Sequence, residues 1–406
     1  MGTKVLNDRR HARLTVSLSG TNLERAADYN QRVVLQAIRL REVTTRQELV
    51  AVTGLTPPTI ATITRRLIAA GLVQIVGRLQ QGRGQPAVQL GIDPDGAFGI
   101  GVNIDRDHLT LVILDLAGNV RARVSQDIAY ALPEHVRTFV AGAVKTCCEN
   151  PRVMVDRIVG AGIAVPEPFS KAGFHDQPAG YSVWNDLDVA GLLSDLMPWP
   201  LHVDNDAATA ALGELEFGSG RNCHNFFYLL IGAGLGGGLV IDGSYYRGAS
   251  ARSGEVGYIL SRVPASSGKS IESRVSLSAL YDRLSDAGCA SGTLAALGLD
   301  DGRTKSVIDA WIAEAAEMLV DPMIAINCLI NPQAVLVGGR LPEPLIDALV
   351  VALTNALAEH AADMPSVAPI RRAAMAADAP AVGAALLPFS DLMLPSDAIL
   401  MNVGRD

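Results

Sequence analysis

Residues 225–243 read Asn-Phe-Phe-Tyr-Leu-Leu-Ile-Gly-Ala-Gly-Leu-Gly-Gly-Gly-Leu-Val-Ile-Asp-Gly, and this stretch decides the fold. Its uninterrupted apolar run makes residues 225–231 a predicted buried strand. The glycine-rich residues 232–238 predict a loop, and residues 239–241 predict a second strand. A turn at Asp242-Gly243 then ends the unit. The stretch therefore predicts one strand–loop–strand–turn unit of a sheet.

A second unit of the same order lies about 125 residues earlier in the chain. Residues 98–114 predict two strands joined by a polar turn at 105–108, and residues 115–119 predict a hairpin turn. Alanine-rich stretches that predict sheet-covering helices are 207–215, 306–327, 344–362 and 379–387. Two related units in one chain predict a duplicated α/β domain with a cleft between its lobes, where ligands bind preferentially.

The composition is that of a globular protein of two or three domains. The chain has 406 residues, of which 49% are hydrophobic. Its five cysteines are scattered and none has Cys-x-x-Cys spacing, so we expect neither a disulfide framework nor a metal site, and no cofactor. The polar, basic residues 1–13 do not resemble a signal peptide, and the longest apolar run, 226–241, contains five glycines. We therefore expect a cytoplasmic protein with no membrane partner.

The net charge of −8 hides an asymmetry between the two ends of the chain. Residues 1–90 hold 13 Lys and Arg against 5 Asp and Glu, a balance of +8. The remainder holds 34 − 13 = 21 basic and 42 − 5 = 37 acidic residues, a balance of −16. A basic head on an acidic body predicts that the head binds a polyanion, the alternative being a solvated basic face.

The basic head has the pattern of a winged helix-turn-helix. Residues 30–40 predict a first helix with one apolar face. Thr45 and Glu48 form a capping-box sequence that predicts the start of a second helix, and Gly54 suits its end. Thr56 is a fitting N-cap for a third helix, whose first turn holds two prolines. A helix-turn-helix used only for protein contacts is the alternative.

Strands at 72–76 and 88–90, around a glycine-rich basic tip, predict the wing. On the third helix, threonines are predicted to reach base edges and arginines to contact phosphates, while wing arginines enter a minor groove. The residues predicted to contact double-stranded operator DNA are Gln47, Thr56, Pro58, Thr59, Thr62, Arg65, Arg66, Arg78, Arg83 and Gln85.

Three motifs of the body stand out: residues 202–214, His-Val-Asp-Asn-Asp-Ala-Ala-Thr-Ala-Ala-Leu-Gly-Glu, the glycine-rich residues 232–238, and Gly254-Glu255-Val256-Gly257. In their order and spacing they resemble the ROK family of repressors, open reading frames and sugar kinases. The resemblance implies an actin-like fold of two ribonuclease-H-like lobes, and the head resembles the winged helix of the family's regulators. The predicted divisions are a tail at 1–22, the winged helix-turn-helix at 23–90, a linker at 91–97, the two-lobe domain at 98–394 and a tail at 395–406.

The chain departs from the family's kinases in their first phosphate loop, which has the pattern Asp-x-Gly-Gly-Thr-Lys. The matching residues 103–108 here are Asn-Ile-Asp-Arg-Asp-His. Carboxylates repel phosphates, and side chains obstruct the backbone amides that would cradle them. Asp206 matches the family's catalytic base, but a carboxylate also accepts a hydrogen bond from a sugar hydroxyl without abstracting a proton. We therefore predict binding without catalysis, and no catalytic residue.

The resemblance also implies a set of sugar-contacting residues. Its members are Asn205, Asp206, Glu255, Tyr258, Glu272 and Trp184. Tyr258 stands where zinc-binding members have a histidine, and residues 261–273 lack the cysteines of their metal site. For Glu255 and Glu272, an ion pair or a helix-end role is the alternative to sugar binding.

The sequence thus predicts a sugar-responsive DNA-binding regulator, in which a sugar or sugar derivative in the cleft moves the heads of a homodimer or homotetramer. Similar family members repress carbohydrate-metabolism genes, so we expect a repressor. Two alternatives stay open: an ATP-dependent sugar kinase with a DNA-binding head, and a regulator controlled by a protein partner.

Overall fold

The computed structural model describes residues 22–80, 86–166, 181–249, 252–289 and 302–395. The first part of the chain forms three helices and a three-stranded antiparallel sheet. The helices are α1 (Leu23–Arg41), α2 (Arg46–Thr53) and α3 (Pro57–Ala69). The strands are β1 (Thr44–Thr45), β2 (Val73–Leu79) and β3 (Ala87–Ile92), in the order β1-β3-β2. We call residues 22–92 the head.

Local sequence signals set the helix ends in the head. The predicted capping box forms: the Thr45 amide donates to Glu48 Oε2 at 2.7 Å, and the Glu48 amide donates to Thr45 Oγ1 at 3.3 Å. The Thr45 amide and the Thr44 hydroxyl both donate to the Glu48 carboxylate, and these hydrogen bonds hold the pKa of Glu48 below its usual value. Gly54 ends α2 in the left-handed region, with φ 68°. The first helix is longer than the predicted 30–40, because Asn22 caps it by accepting from the Arg25 amide at 2.8 Å.

The body contains two five-stranded sheets of one topology. The first sheet holds β4 (Phe98–Ile104), β5 (His108–Asp115), β6 (Val120–Asp127), β7 (Ile158–Val165) and β8 (Leu201–Asn205), in the order β6-β5-β4-β7-β8. The second holds β9 (Phe226–Ile231), β10 (Leu235–Ile241), β11 (Ser244–Tyr245), β12 (Ala334–Gly339) and β13 (Ile370–Arg372), in the order β11-β10-β9-β12-β13. In each sheet the three strands that come first in the chain pair antiparallel to one another. The two later strands run parallel to the strand that comes first in the chain. The predicted duplication is confirmed.

Helices cover both faces of each sheet. They are α4 (Pro133–Cys148), α5 (Val189–Leu193), α6 (Asp206–Phe217), α7 (Glu272–Val275), α8 (Leu277–Asp286), α9 (Gly302–Leu329), α10 (Glu343–Ala358) and α11 (Ala379–Leu392). Helix α4 packs on one face of the first sheet, and α8, α9 and α10 pack on one face of the second. Helices α6 and α11 lie side by side between the two sheets, α6 on the second and α11 on the first. No helix in these described ranges is long and apolar enough to cross a membrane.

Other predicted boundaries also need correction. Strand β10 begins at Leu235, so the predicted loop 232–238 is only a turn, and its last glycines belong to the strand. Gly238 is required there because a Cβ would lie 2.6 Å from the Ala211 Cβ of the helix that packs on the sheet. Strand β3 extends to Ile92, two residues into the predicted linker, because Ile92 pairs with Val73. Helix α10 ends at Ala358, short of the predicted residue 362.

Candidate functional site

The junction of β8 and α6 places the first predicted ligand residues at the cleft. Asn205 is the N-cap of α6, and its Oδ1 accepts from the Ala208 amide at 3.0 Å. Asp206 is the first residue of the helix, and its Oδ1 accepts from the Ala207 amide at 2.7 Å. The positive end of the helix dipole therefore faces these side chains, as it does in many sites that hold polar ligands.

The second lobe supplies the opposite wall. Glu255 precedes a short 3₁₀ turn that ends at Tyr258, whose side chain is partly exposed. Glu272 is the first residue of α7, and a Cβ on Gly257 would lie 3.1 Å from its Oε2. The charge of Glu255 acts on both Asp206 and Tyr258, so these groups lie near one another. Four predicted residues, Asp206, Glu255, Tyr258 and Glu272, thus meet in one region of the cleft.

Arg106, which was not among the predicted ligand residues, crosses this cleft. It lies in the turn between β4 and β5, and its two terminal nitrogens contact Glu272 Oε1 at 3.2 and 3.3 Å. Its guanidinium also lies against the turn 232–234, where a Cβ on Gly234 would come within 3.0 Å. The sequence signal for Arg106 is a charged residue in place of a phosphate-loop glycine, and that signal by itself indicates an obstruction and not a partner across the cleft.

A second set of ion pairs joins the same turn to the other lobe. Arg340, directly after β12, forms an ion pair with Asp107 and contacts Asp127 at 3.2 Å and Asp105 at 3.8 Å. Burial and the nearby charge of Asp105 raise the pKa of Asp107 to about 6, although Arg340 opposes the shift. The turn 105–107 is therefore tied to the second lobe on both of its sides.

Asp206 is a predicted ligand residue whose carboxyl group has a strongly shifted pKa. Burial is the main cause that raises its pKa to about 7, and the charge of Asp105 adds to it. The Ala207 amide and the Arg106 guanidinium oppose the shift. A carboxyl group that titrates near neutral pH accepts hydrogen bonds when charged and donates one when protonated.

This raised pKa predicts the pH dependence of stability. The folded state binds the Asp206 proton more tightly than the unfolded state, whose value is 3.8, so stability is lost as the pH rises from about 4 to about 7. The Asp206 side chain is partly exposed, and solvent screening weakens the effect. Above pH 7 the ionised carboxylate therefore lowers the free energy of unfolding by about 2 kcal/mol relative to the protonated form. We expect Asp206→Asn to be more stable than the parent at pH 8 by about this amount, with the gain shrinking at pH 5. Urea unfolding at both pH values measures it.

The matched control is Asp363→Asn, because Asp363 is an exposed carboxylate in a surface 3₁₀ turn. Its stability relative to the parent is expected to be the same at pH 5 and pH 8. An Asp206→Asn protein that is less stable than the parent at pH 8 would contradict the assigned pKa shift.

Trp184 lies elsewhere than predicted. It is 5% exposed, packs in the core of the first lobe, and donates its indole N–H to the Ala131 carbonyl at 2.7 Å. Its position between apolar neighbours corrects the expectation that it flanks a ligand. Tyr181, three residues earlier, stacks edge-on against Tyr130 and is near enough to Arg106 for the charge of Arg106 to act on its hydroxyl.

The head presents most of the predicted DNA-contacting residues to solvent. The exposed ones are Gln47, Thr56, Pro58, Thr62, Arg65, Arg66 and Arg78, and Thr59 is half-buried. The opposite face of α3 is buried through Ile60, Ile63 and Leu67. Arg83 and Gln85 lie outside the described residues. Within the described part of the chain, no group of three or more His, Cys, Asp or Glu side chains is placed to hold a metal ion.

The fold and the cleft define a two-lobed α/β protein with a candidate ligand site between its lobes. The ROK family model matches residues 99–390, and the chain belongs to this family.

Two similar relatives show how far the similarity extends. An uncharacterized protein of Sinorhizobium fredii is 27% identical over 365 residues, covering 89% of this chain and 90% of its own length. The xylose repressor of Bacillus subtilis is 26% identical over 233 residues, covering 57% of this chain and 60% of the repressor. The match therefore spans less than two thirds of the length of that repressor.

Two solved structures share the fold. A ROK family transcriptional regulator, a homologue of the Escherichia coli Mlc protein, has a TM-score of 0.65 at 21% identity and covers 91% of this chain and 98% of its own. A ROK family glucokinase from Streptomyces griseus, in complex with glucose and AMPPNP, has a TM-score of 0.55 at 22% identity, with coverages of 72% and 99%. The regulator thus matches a larger share of this chain than the kinase.

Proposed function

We propose that this protein is a sugar-responsive, DNA-binding transcriptional repressor without kinase activity. The observation that carries the proposal is the turn 105–107, which holds ion pairs to the second lobe where the family's kinases have an open glycine loop. Asp105 and Asp107 repel a nucleotide phosphate, and both are contacted by Arg340. Arg106, between them in the chain, occupies the space beside the second glycine turn.

The head supports DNA binding by its arrangement and charge. Three helices with a short strand between the first two and an antiparallel hairpin after the third form a winged helix-turn-helix pattern. The exposed face of α3 carries Thr62, Arg65 and Arg66, and Arg78 lies on the exposed side of β2. Threonine hydroxyls suit base edges and arginines suit phosphates, so α3 is the recognition helix in this proposal.

The cleft supports a polyhydroxylated ligand, a sugar or sugar derivative. Asp206, Glu255 and Glu272 offer carboxylate acceptors, while Tyr258 offers a donor. Buried acceptors discriminate strongly against an analogue that lacks the matching hydroxyl, because an acceptor left unpaired is costly. The similarity to xylose repressors supports a sugar effector that changes operator affinity. A homodimer or homotetramer would space two heads on a palindromic operator.

One observation favours a second candidate, a sugar kinase. Asp206 keeps the position and the raised pKa that suit a general base, and a glucokinase shares the fold. Sugar-dependent ATP turnover that disappears in Asp206→Asn would establish this candidate. Control by a protein partner predicts instead that no small molecule stabilises the protein.

A thermal-shift screen of the full chain separates these candidates. The panel holds pentoses, hexoses, amino sugars, polyols and their phosphates, with ATP–magnesium as a separate arm. A ligand at 100 times its Kd stabilises the folded state by about 2.7 kcal/mol, and we expect one sugar class to raise Tm and ATP–magnesium to leave it unchanged.

The same screen on two variants assigns the site. In Asp206→Asn the sugar-induced rise in Tm is expected to disappear, because the cleft loses its ionised acceptor, while Asp363→Asn keeps the rise. A rise of full size in Asp206→Asn would place the ligand elsewhere. A rise with ATP–magnesium that needs the sugar would favour the kinase.

A further inference from the structure

Two arginines of the head attach it to the body. Arg32 and Arg39 are seven residues apart on α1, two helical turns, and therefore lie on the same face. Arg39 forms an ion pair with Glu216 in the last turn of α6. Its guanidinium also lies over the ring of Phe217, 5.5 Å from the centroid. The Arg39 and Glu216 side chains are only 6% and 12% exposed, so this pair is shielded from solvent.

Arg32 makes a corresponding contact with the end of α11. Its Nη1 donates to the backbone carbonyl of Asp391 at 2.8 Å and contacts that of Leu394 at 3.5 Å. A cation at the carbonyl end of a helix is favoured by the helix dipole. Met393, directly after α11, packs against the apolar core of the head. The head thus rests on the carboxyl ends of two neighbouring helices.

These two helices are in backbone contact with each other. A Cβ on Gly383 of α11 would overlap the carbonyl oxygen of Thr209 of α6, and a Cβ on Gly213 would lie 2.9 Å from the Ala379 oxygen. Close-packed backbones move together, because no flexible side chain separates them. The carboxylate of Glu214, fully buried, further fixes the end of α6 by accepting from the amides of Ser219 at 2.8 Å and Met375 at 2.6 Å.

The opposite end of α6 is the candidate ligand site. The helix begins at Asp206 and has 12 residues. At 1.5 Å per residue it spans about 18 Å from the cleft to the head. We propose that α6 couples the ligand site to the head as a rigid lever. Arg39 transmits a shift of α6 to the head through its ion pair with Glu216, and Arg32 attaches the head to α11. This inference rests on the proposed function, since it names the route by which a cleft ligand regulates DNA binding.

Thermodynamic reciprocity makes the lever testable without sugar or DNA. If a change at Asp206 alters the attachment of the head, loss of that attachment alters the Asp206 end of the helix by the same coupling free energy. The experiment is hydrogen–deuterium exchange of the full chain, measured by mass spectrometry. In Arg39→Ala we expect exchange in the segment 204–209 to rise by about fivefold, the lower end of typical allosteric couplings.

The control is Arg41→Ala, which removes the same charge from the last turn of α1 at an exposed position and is expected to leave the segment 204–209 unchanged. Glu216→Gln breaks the same ion pair from the body and leaves the head sequence intact, so it is expected to reproduce the Arg39→Ala result even if that variant folds poorly.

Faster exchange confined to residues 23–41 and 214–222 would overturn the lever, since the attachment would then be local. Equal responses in Arg39→Ala and Arg41→Ala would also overturn it. Because neither sugar nor DNA is present, a negative result leaves the proposed function standing. A silent sugar screen with coupled exchange would leave the lever standing and count against the proposed effector.

Discussion

Gly101→Ala is expected to lower the free energy of unfolding by about 3 kcal/mol, the upper part of the usual range for overpacked cores. Gly101 lies in the middle of β4, where α11 crosses the first sheet. A Cβ there would overlap the carbonyl oxygen of Ala381 and lie 2.7 Å from the amide nitrogen of Ala385. Both obstacles are helix backbone, so the strain is not relieved by a change of rotamer. Gly162→Ala on β7 is expected to behave alike, because its Cβ would overlap the Ala384 oxygen.

Gly142→Ala is the matched control for this prediction. Gly142 lies inside α4, and a Cβ at this position meets no atom within 4 Å. Alanine is the better helix former, so this variant is expected to gain up to about 1 kcal/mol. Urea unfolding of the three variants measures the differences. A Gly101→Ala protein within 1 kcal/mol of the parent would mean that α11 does not pack on β4 in solution.

The double variant Arg65→Ala/Arg66→Ala is expected to weaken DNA binding about 60-fold per head at 0.1 M salt. Each arginine that neutralises one phosphate releases condensed counterions, which contributes about eightfold at this salt concentration. The slope of log K against log salt should fall in magnitude by about 1.8. Fluorescence anisotropy with an A·T-rich duplex at several salt concentrations measures both quantities, and no knowledge of the operator is needed.

Arg262→Ala is the control, because Arg262 is exposed on the second lobe and its loss removes one positive charge, half of the change in the double variant, away from the head. Its DNA affinity and salt slope are expected to equal those of the parent. An unchanged slope in the double variant would exclude α3 as a phosphate-contacting helix. A reduced affinity with sequence preference retained agrees with the assignment of these arginines to phosphates.

The placement of the candidate site was partly predictable. Glu255 lies near Asp206, and Tyr258 lies near both Glu255 and Glu272, while the sugar contacts that the resemblance to the ROK family implies for them stay a prediction. Trp184 does not join them, because its indole fits an apolar core and finds its hydrogen-bond acceptor there. Nothing in the local sequence around Trp184 distinguishes a tryptophan that lines a ligand site from one that packs in an apolar core.

The sequence by itself determined the elements whose stabilising contacts are local. The Thr45–Glu48 capping box and the left-handed Gly54 act within one helical turn, so their effect is independent of distant residues. The alternation of apolar strands and turns likewise determined two related units, since a strand buried on both faces needs a continuous apolar run.

Only the tertiary structure decided what lies across the cleft and beneath the head. Arg106 contacts Glu272, which lies 166 residues further along the chain, and Arg39 contacts Glu216, which lies 177 residues further along. No pattern within one element predicts which charges become partners, because an ion pair forms only after both lobes and the head have packed. The placement of α11 between the sheets has the same origin: the glycines that admit it on β4 and β7 lie more than 200 residues away from it, and their close approach to its backbone exists only in the folded chain.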